Sequence, residues 1–394
     1  MKELRRPQRT PPAFRRAPHV VSFWHDGRLV VLNYATGVAV RGSPLVIEVL
    51  DELADWRTLD NLSGGRPLEE RRLLRRLIDL MVDRTFVTRS TDEPRKVDAE
   101  LSRWGTWNPT AGFFHLATKD VAFNSAGTDQ LGDACARART RPLPSPLKPD
   151  AVEGIPLPRA RVDGELPSVL LARRTWRRFS RRSLPLSDLA TLLQLTWGVH
   201  GWIEVPRLGR FALKTSPSGG ARHSIEVYVH ARNVRTLQPG LYHYNPDTHR
   251  LAPMTRSRAP RIADYLPGQP WYEDAAALLL MTAVFERVQW RYPYARAYRA
   301  ILAEAGHLCQ TFCLVATWLG LAPFCTMALA DSRIERDLGI DGVSESVLYA
   351  AGAGMRPDGV DWAPWPGTNE TPTMTAPRHA KRISRANNGD ETRS

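Results

Sequence analysis

Cysteine is scarce: the 394 residues hold four, at 135, 309, 313 and 325, and no two form a Cys-x-x-Cys pair. Without that spacing a structural zinc site is not expected, and no metal ligand set is read from the chain. Cys309 and Cys313 fall in an apolar helical run, where free cysteine ordinarily serves as a small core residue. Long apolar runs are also missing. None reaches the roughly 18 residues of a membrane-crossing helix, and the basic N-terminus has no apolar stretch behind it. A cytosolic, reducing location is the expectation. No Gly-x-Gly-x-x-Gly is present either. Acidic residues are outnumbered, 41 against 54 basic, for a formal charge of +13. That balance favours anionic partners. Much of the excess sits in the two ends, residues 1–19 and 367–394, which read as a basic arm and a tail without fixed structure.

What is there is 43% hydrophobic and 24% charged, an ordinary globular composition with roughly two domains as the expectation. Residues 20–92 read as a small winged-helix-like module. Two β-rich runs flank Asp26-Gly27, a hairpin signal, and Ser43-Pro44 opens a helix with serine as its cap. A further helix places Leu73, Leu74, Leu77, Ile78 and Met81 on one stripe, with Arg71, Arg72, Arg75 and Arg76 opposite. Residues 93–165 carry one plausible strand within LSRWGTWNPTAGFFHLATKDVAF (101–123) and then a proline-rich stretch, so they read as an extended linker or wrapping segment. The second domain, 166–366, runs through two helices, a strand, a strand pair, a strand, a long helix from about 295 and a final strand. The long helix is apolar nearly all round and reads as a buried centre, with Glu304, His307 and Gln310 interrupting it.

Five motifs follow one another in the second domain: RRTWRRF (173–179), LKTSPSGGARHSIEVYV (213–229), GLYHYNPDTHRL (240–251), RYPYARAYRAILAEAGHLCQTFCLVATWLGL (291–321) and VLYAAGAG (347–354). Their order resembles the FMN-dependent nitroreductase superfamily, and more narrowly the SagB-type dehydrogenases, which oxidise azoline rings to azoles in ribosomally made peptides. The resemblance implies an α+β fold with an antiparallel-rich central sheet flanked by helices, FMN as cofactor, a homodimer, a peptide or heterocycle-containing substrate, and a cyclodehydratase as companion. The N-terminal module would then be a docking or peptide-binding element. Arg173, Arg174, Thr175 and Arg177 match the family's phosphate socket, with threonine for serine. Guanidinium forks and a hydroxyl are the groups a phosphate wants. Pro217, Ser218, Gly219 and Gly220 match the loop under the flavin, where small residues let backbone approach a flat ring. Met327 and Ala328 correspond to the loop facing flavin N5.

The implied catalytic pair is Arg291-Tyr292, and here the chain departs from the pattern: related enzymes carry lysine where this one has Arg291. A guanidinium cannot serve as a general base near neutral pH. Tyr292 must then take the proton, helped by the positive field of Arg291, with Lys214 and His307 in reserve. Trp290 beside the pair is the tryptophan expected to line a substrate pocket. Other readings stay open at this point: an FMN oxidoreductase of nitro- or quinone-reductase type, a basic winged-helix protein binding nucleic acid, and a silent scaffold that keeps FMN. Glu69 and Glu70 beside the arginine face weigh against nucleic acid.

Overall fold

A computed structural model describes residues 11–120, 130–141, 144–146, 158, 160–254 and 260–360. The expected tail without fixed structure and residues 1–10 of the basic arm lie outside the described residues. The rest of that arm is a correction: β1 (Ala13–Arg16) is a strand, pairing with β5 (Arg57–Thr58) and β6 (Val87–Arg89). Between them run β2 (Val20–His25), β3 (Arg28–Asn33), β4 (Val38–Arg41), α1 (Pro44–Glu52), α2 (Leu59–Ser63) and α3 (Leu68–Asp83). The hairpin forms where Asp26 and Gly27 both take positive φ, the geometry a two-residue connection demands. Ser43 caps α1 by accepting from the Val46 amide. On α3, Leu74, Ile78 and Met81 are buried as the stripe requires, but Leu73 is 62% exposed. It lies one residue from Leu74, about 100° around the helix, which carries it off the buried face.

The segment expected as an extended linker or wrapping arm packs on the main core and is helical rather than extended. It contains α4 (Lys96–Ser102) and α5 (Thr110–Ala117), and the expected strand is absent from the described residues 101–120, the rest of that stretch lying outside the described residues. Trp104 and Trp107, between these helices, are buried in the main core. His115 bonds the Tyr298 hydroxyl at 2.9 Å and the Gly342 carbonyl at 2.9 Å. Lys119 reaches the buried Glu335 at 2.6 Å. The strand reading failed because aromatic, β-prone residues here are recruited by tertiary burial. A further helix, α6 (Gln130–Thr140), precedes the proline-rich stretch, most of which lies outside the described residues.

Beyond it come α7 (Glu165–Ala172), α8 (Leu186–Trp197), the hairpin β7 (Gly201–Val205) and β8 (Gly209–Leu213), then β9 (Ile225–Ala231), β10 (Gly240–Asn245), β11 (Arg250–Pro253) and α9 (Ile262–Tyr265). The chain closes through β12 (Ala277–Val284), α10 (Phe285–Gln289), α11 (Tyr298–Trp318), β13 (Leu321–Thr326), α12 (Asp331–Leu338) and β14 (Glu345–Met355). The six-stranded sheet has the order β11-β10-β9-β12-β14-β13 and is antiparallel throughout. Side chains alternate across it. Val227, Val229, Leu279 and Met281 face α8 and α11, whereas Tyr228, Leu278 and Leu280 face α9 and α12. The result is an α+β sandwich with both sheet faces covered. The long helix is not wholly interior: Ala303, His307, Gln310 and Trp318 are exposed along one side.

Candidate functional site

Two stretches of α11 organise the candidate site. Near its start, Glu304 is 3% exposed and fastens the glycine-rich loop from below. Its carboxylate accepts from the hydroxyls of Ser218 and Ser224 at 2.8 and 2.9 Å, and from the Ser224 and Ile225 amides at 3.4 Å. A buried carboxylate is retained only where donors replace its water, and here the loop supplies them. One turn on, His307 Nδ1 approaches the Pro217 carbonyl at 3.2 Å, and Thr311 meets Ser216 hydroxyl to hydroxyl at 2.7 Å. Both sit where 3.6-residue periodicity presents positions 304, 307 and 311 to the same neighbour.

The clamped loop touches the predicted catalytic pair. Gly220 has φ +62°, and a β-carbon there would lie 2.9 Å from the Tyr292 hydroxyl and 3.2 Å from Arg291 Cγ. At Gly219 a β-carbon would come within 3.2 Å of Ala300. Glycine is needed on both conformational and steric grounds at position 220. The Arg291 guanidinium carbon is 6.0 Å from the Tyr292 ring centre. Residues that the sequence reading assigned to a linker hold this corner: Trp107 Nε1 donates to the Tyr292 carbonyl at 2.9 Å, and the Thr106 hydroxyl donates to the Pro293 carbonyl. Trp290 is 59% exposed, with the Arg222 guanidinium 4.8 Å over its ring.

The arginine motif lies in an extended segment along the β13 edge, where the Trp176 amide donates to the Pro323 carbonyl at 2.8 Å and Ser180 bridges Met355. The structure divides its arginines. Arg173 acts on Cys313 and Cys325, favouring their thiolates. Arg177 reaches Tyr272, whose hydroxyl is raised mainly by burial, against the guanidinium's pull. Cys325 also acts on that Tyr272, so Arg173 and Arg177 share one neighbourhood. Arg174 instead turns back on α7, donating to the Leu171 and Arg173 carbonyls at 2.9 and 2.7 Å. Thr175 is half-buried between them. Directly after Cys325 comes the loop with Met327 and Ala328. Gln269 Nε2 donates to the Ala328 carbonyl at 2.8 Å, Thr326 Oγ1 donates to Gln269 Oε1 at 2.7 Å, and the Ala328 amide donates to Thr326 Oγ1 at 3.1 Å. Met327 projects outward, 61% exposed.

Charged groups gather behind the glycine loop. Burial pushes Lys214 below its usual range, opposed by Glu226 and Glu304. Burial alone would raise the Glu226 carboxyl, but the His243 hydrogen bond and the Arg287 guanidinium, 2.8 and 2.6 Å away, bring it to about 2. The sequence reading missed Ser224, Gln269, Trp107 and Thr311, because each acts on a segment distant in the chain and no local spacing marks it. It also missed Cys325 as a neighbour of Cys309 and Cys313. Hydrogen bonds from those two thiols, with Tyr349 and Arg173 beyond, hold Cys325 below the ordinary thiol range. The whole arrangement offers cations and hydroxyls near Cys325, an open backbone loop, and a phenol pressed against that loop. Such a set suits a flat ligand carrying a phosphate.

Comparison with known proteins agrees. The nitroreductase family model matches residues 170–355. The nitroreductase MJ1384 of Methanocaldococcus jannaschii is 30% identical over 185 residues, covering 45% of this chain and 85% of that protein. The trifolitoxin-processing protein TfxB of Rhizobium leguminosarum bv. trifolii is 30% identical over 172 residues, 42% of this chain and 46% of TfxB. The microcin B17-processing protein McbC of Escherichia coli is 30% identical over 135 residues, 32% of this chain and 48% of McbC. The matches to TfxB and McbC thus span about half the length of each. The family model falls on the residues that build the sheet and its covering helices, the archaeal protein is matched over 85% of its length, and the chain belongs to the nitroreductase family.

Proposed function

We propose that this chain is an FMN-dependent oxidoreductase of SagB type that dehydrogenates azoline rings in a ribosomally made peptide. The observation that carries the reading is the closeness of the Tyr292 hydroxyl to Gly220, 2.9 Å from where a β-carbon would stand, which sets a proton-handling group beside a backbone loop of small residues. Arg173 and Arg177 hold the phosphate, with Thr175 adding its hydroxyl. Residues 217–220 present small side chains and amides to the ring, and Gln269 fixes the Ala328 backbone opposite. FMN, when bound, supplies a two-electron acceptor for the hydride. The protein's task is the proton: Tyr292, after releasing its own phenolic proton to solvent beside the cationic Arg291, would take it on Oη from the substrate carbon. Arg291 stays cationic and cannot take it. TfxB and McbC, named for processing trifolitoxin and microcin B17, support a peptide substrate. A cyclodehydratase would supply the azoline.

The test is anaerobic mixing of the FMN-loaded protein with a thiazoline-bearing peptide. Flavin bleaching together with a product lighter by a pair of hydrogens is expected; an unbleached flavin with unchanged peptide refutes the reading. The likeness to MJ1384 over 85% of its length favours a second reading, reduction of a nitro or quinone compound. Steady NAD(P)H consumption with such an acceptor, and none of the peptide chemistry, establishes that reading instead.

A further inference from the structure

Three of the four cysteines meet at one point in the core. Cys309 and Cys313 lie four residues apart on α11 and so face the same way on successive turns. Cys325 comes from β13, the strand against which α11 packs. The three sulfurs lie within 4.8 Å of one another. Cys309 is 3% and Cys313 5% exposed, while Cys325 is partly buried. The Tyr349 hydroxyl donates to Cys325 Sγ at 3.5 Å. The fourth cysteine, Cys135, is exposed and apart from them.

We propose that Cys309, Cys313 and Cys325 form a three-sulfur site for a thiophilic d10 cation, Cu(I) or Zn(II). Sulfur bound to such an ion at about 2.3 Å in a trigonal plane leaves the sulfurs about 4.0 Å apart. The observed cluster, with every sulfur within 4.8 Å of the other two, needs to close by less than about 1 Å to reach that spacing. A disulfide would need two of them closed to about 2.05 Å and would leave the third unused. Thiolates select soft ions over magnesium or calcium. Among the described residues no His, Asp or Glu joins the cluster. Cu(I), content with three sulfurs, therefore fits as it stands, and Zn(II) would complete its shell with a water from the partly open Cys325 side. The Arg173 charge reaches Cys313 and Cys325 and offsets part of the negative charge of three thiolates. Tyr349 is the outer group that orients Cys325. A bound ion would tie α11 to β13 beside the Thr326–Ala328 turn.

The experiment uses the full chain with its cofactor, stripped of metal under reductant and titrated with Cu(I) and, separately, Zn(II) against a coloured competing chelator. One ion per chain is expected, and preference between the two arms distinguishes a three-coordinate from a water-completed site. Cys325→Ser, at the most open of the three positions, should abolish binding, Cys135→Ser should leave it unchanged, and Tyr349→Phe should weaken it about tenfold. Should Cys325→Ser fail to fold, alkylation of the unsubstituted protein decides: the ion should shield Cys309, Cys313 and Cys325 while Cys135 still reacts. Binding that survives Cys325→Ser, no uptake by the unsubstituted protein, or no protection of the three thiols overturns the proposal.

Discussion

At the scale of single residues the site depends on what glycine omits and what a phenol adds. Alanine at position 220 would bring a β-carbon to 2.9 Å from the Tyr292 hydroxyl on a backbone with φ +62°. The conformation alone costs about 1–2 kcal/mol for a residue with a side chain. Gly220→Ala should therefore lower the melting temperature and weaken FMN retention, both readable by a flavin-fluorescence melt. Tyr292→Phe keeps the ring and removes the acid–base atom. It should bind FMN as before and lose about a hundredfold or more in turnover of the azoline peptide. Unchanged turnover would remove Tyr292 from the chemistry. These residues were legible in the sequence because their constraint is local: consecutive small residues make a turn whatever surrounds them. Cys325 and Gln269 were not, since each matters only through side chains far away in the chain, and FCTMALAD (324–331), the stretch around Met327 and Ala328, resembled the loop facing flavin N5. Its first three residues belong to β13. Pro323 hid that strand, and a proline is tolerated there because β13 lies at the sheet edge.

At the scale of elements, the most informative departure is the segment from α4 to α5. Its proline-rich sequel gave the whole stretch the look of a linker, yet Trp107 and Thr106 grip the backbone of Tyr292 and Pro293. Nothing periodic in the sequence announces a contact spanning 185 residues. Trp107→Phe removes one hydrogen bond, worth about 1 kcal/mol, and lets the Tyr292 corner drift. Turnover should fall while FMN affinity stays, as stopped-flow and titration would show. His115 on α5 makes a second case. Burial lowers it to about 4, so the folded protein keeps it neutral between the Tyr298 hydroxyl and the Gly342 carbonyl. The unfolded chain takes up that proton at the ordinary value of 6.5. Stability should therefore be lost as pH falls from 6.5 toward 4, by about 3 kcal/mol in all from this group, and hold steady above that window. Denaturant midpoints across the window test this. His115→Gln should be less stable at neutral pH and should show a flatter acid limb.

At the scale of the molecule, α11 carries an unresolved contradiction that a second copy of the chain would remove. The 295–318 helix has the length and apolarity of a membrane span, yet only 50% of it is buried. Glu304 is fully engaged by the glycine loop, so the helix belongs with the protein core. Its outer side runs through exposed Ala303, His307, Gln310 and Trp318. Beside it α7 exposes Leu166, Leu170 and Leu171 at 65%, 48% and 47%, and the Trp318 Nε1 bond to Glu165 joins the two surfaces at 2.6 Å. Contiguous apolar exposure of this kind marks an association surface. α7 leads directly into Arg173, and α11 carries the loop clamp, so whatever covers this side also braces the site. The expected outcome is a homodimer through α7 and α11. Light scattering should give twice the chain mass, and Leu166→Glu with Leu170→Glu should give a folded monomer, since neither side chain supports the core. The monomer should also release FMN, because the arginine segment loses its brace. A wild-type monomer would sink the dimer, and a variant monomer that keeps its flavin would separate assembly from cofactor binding.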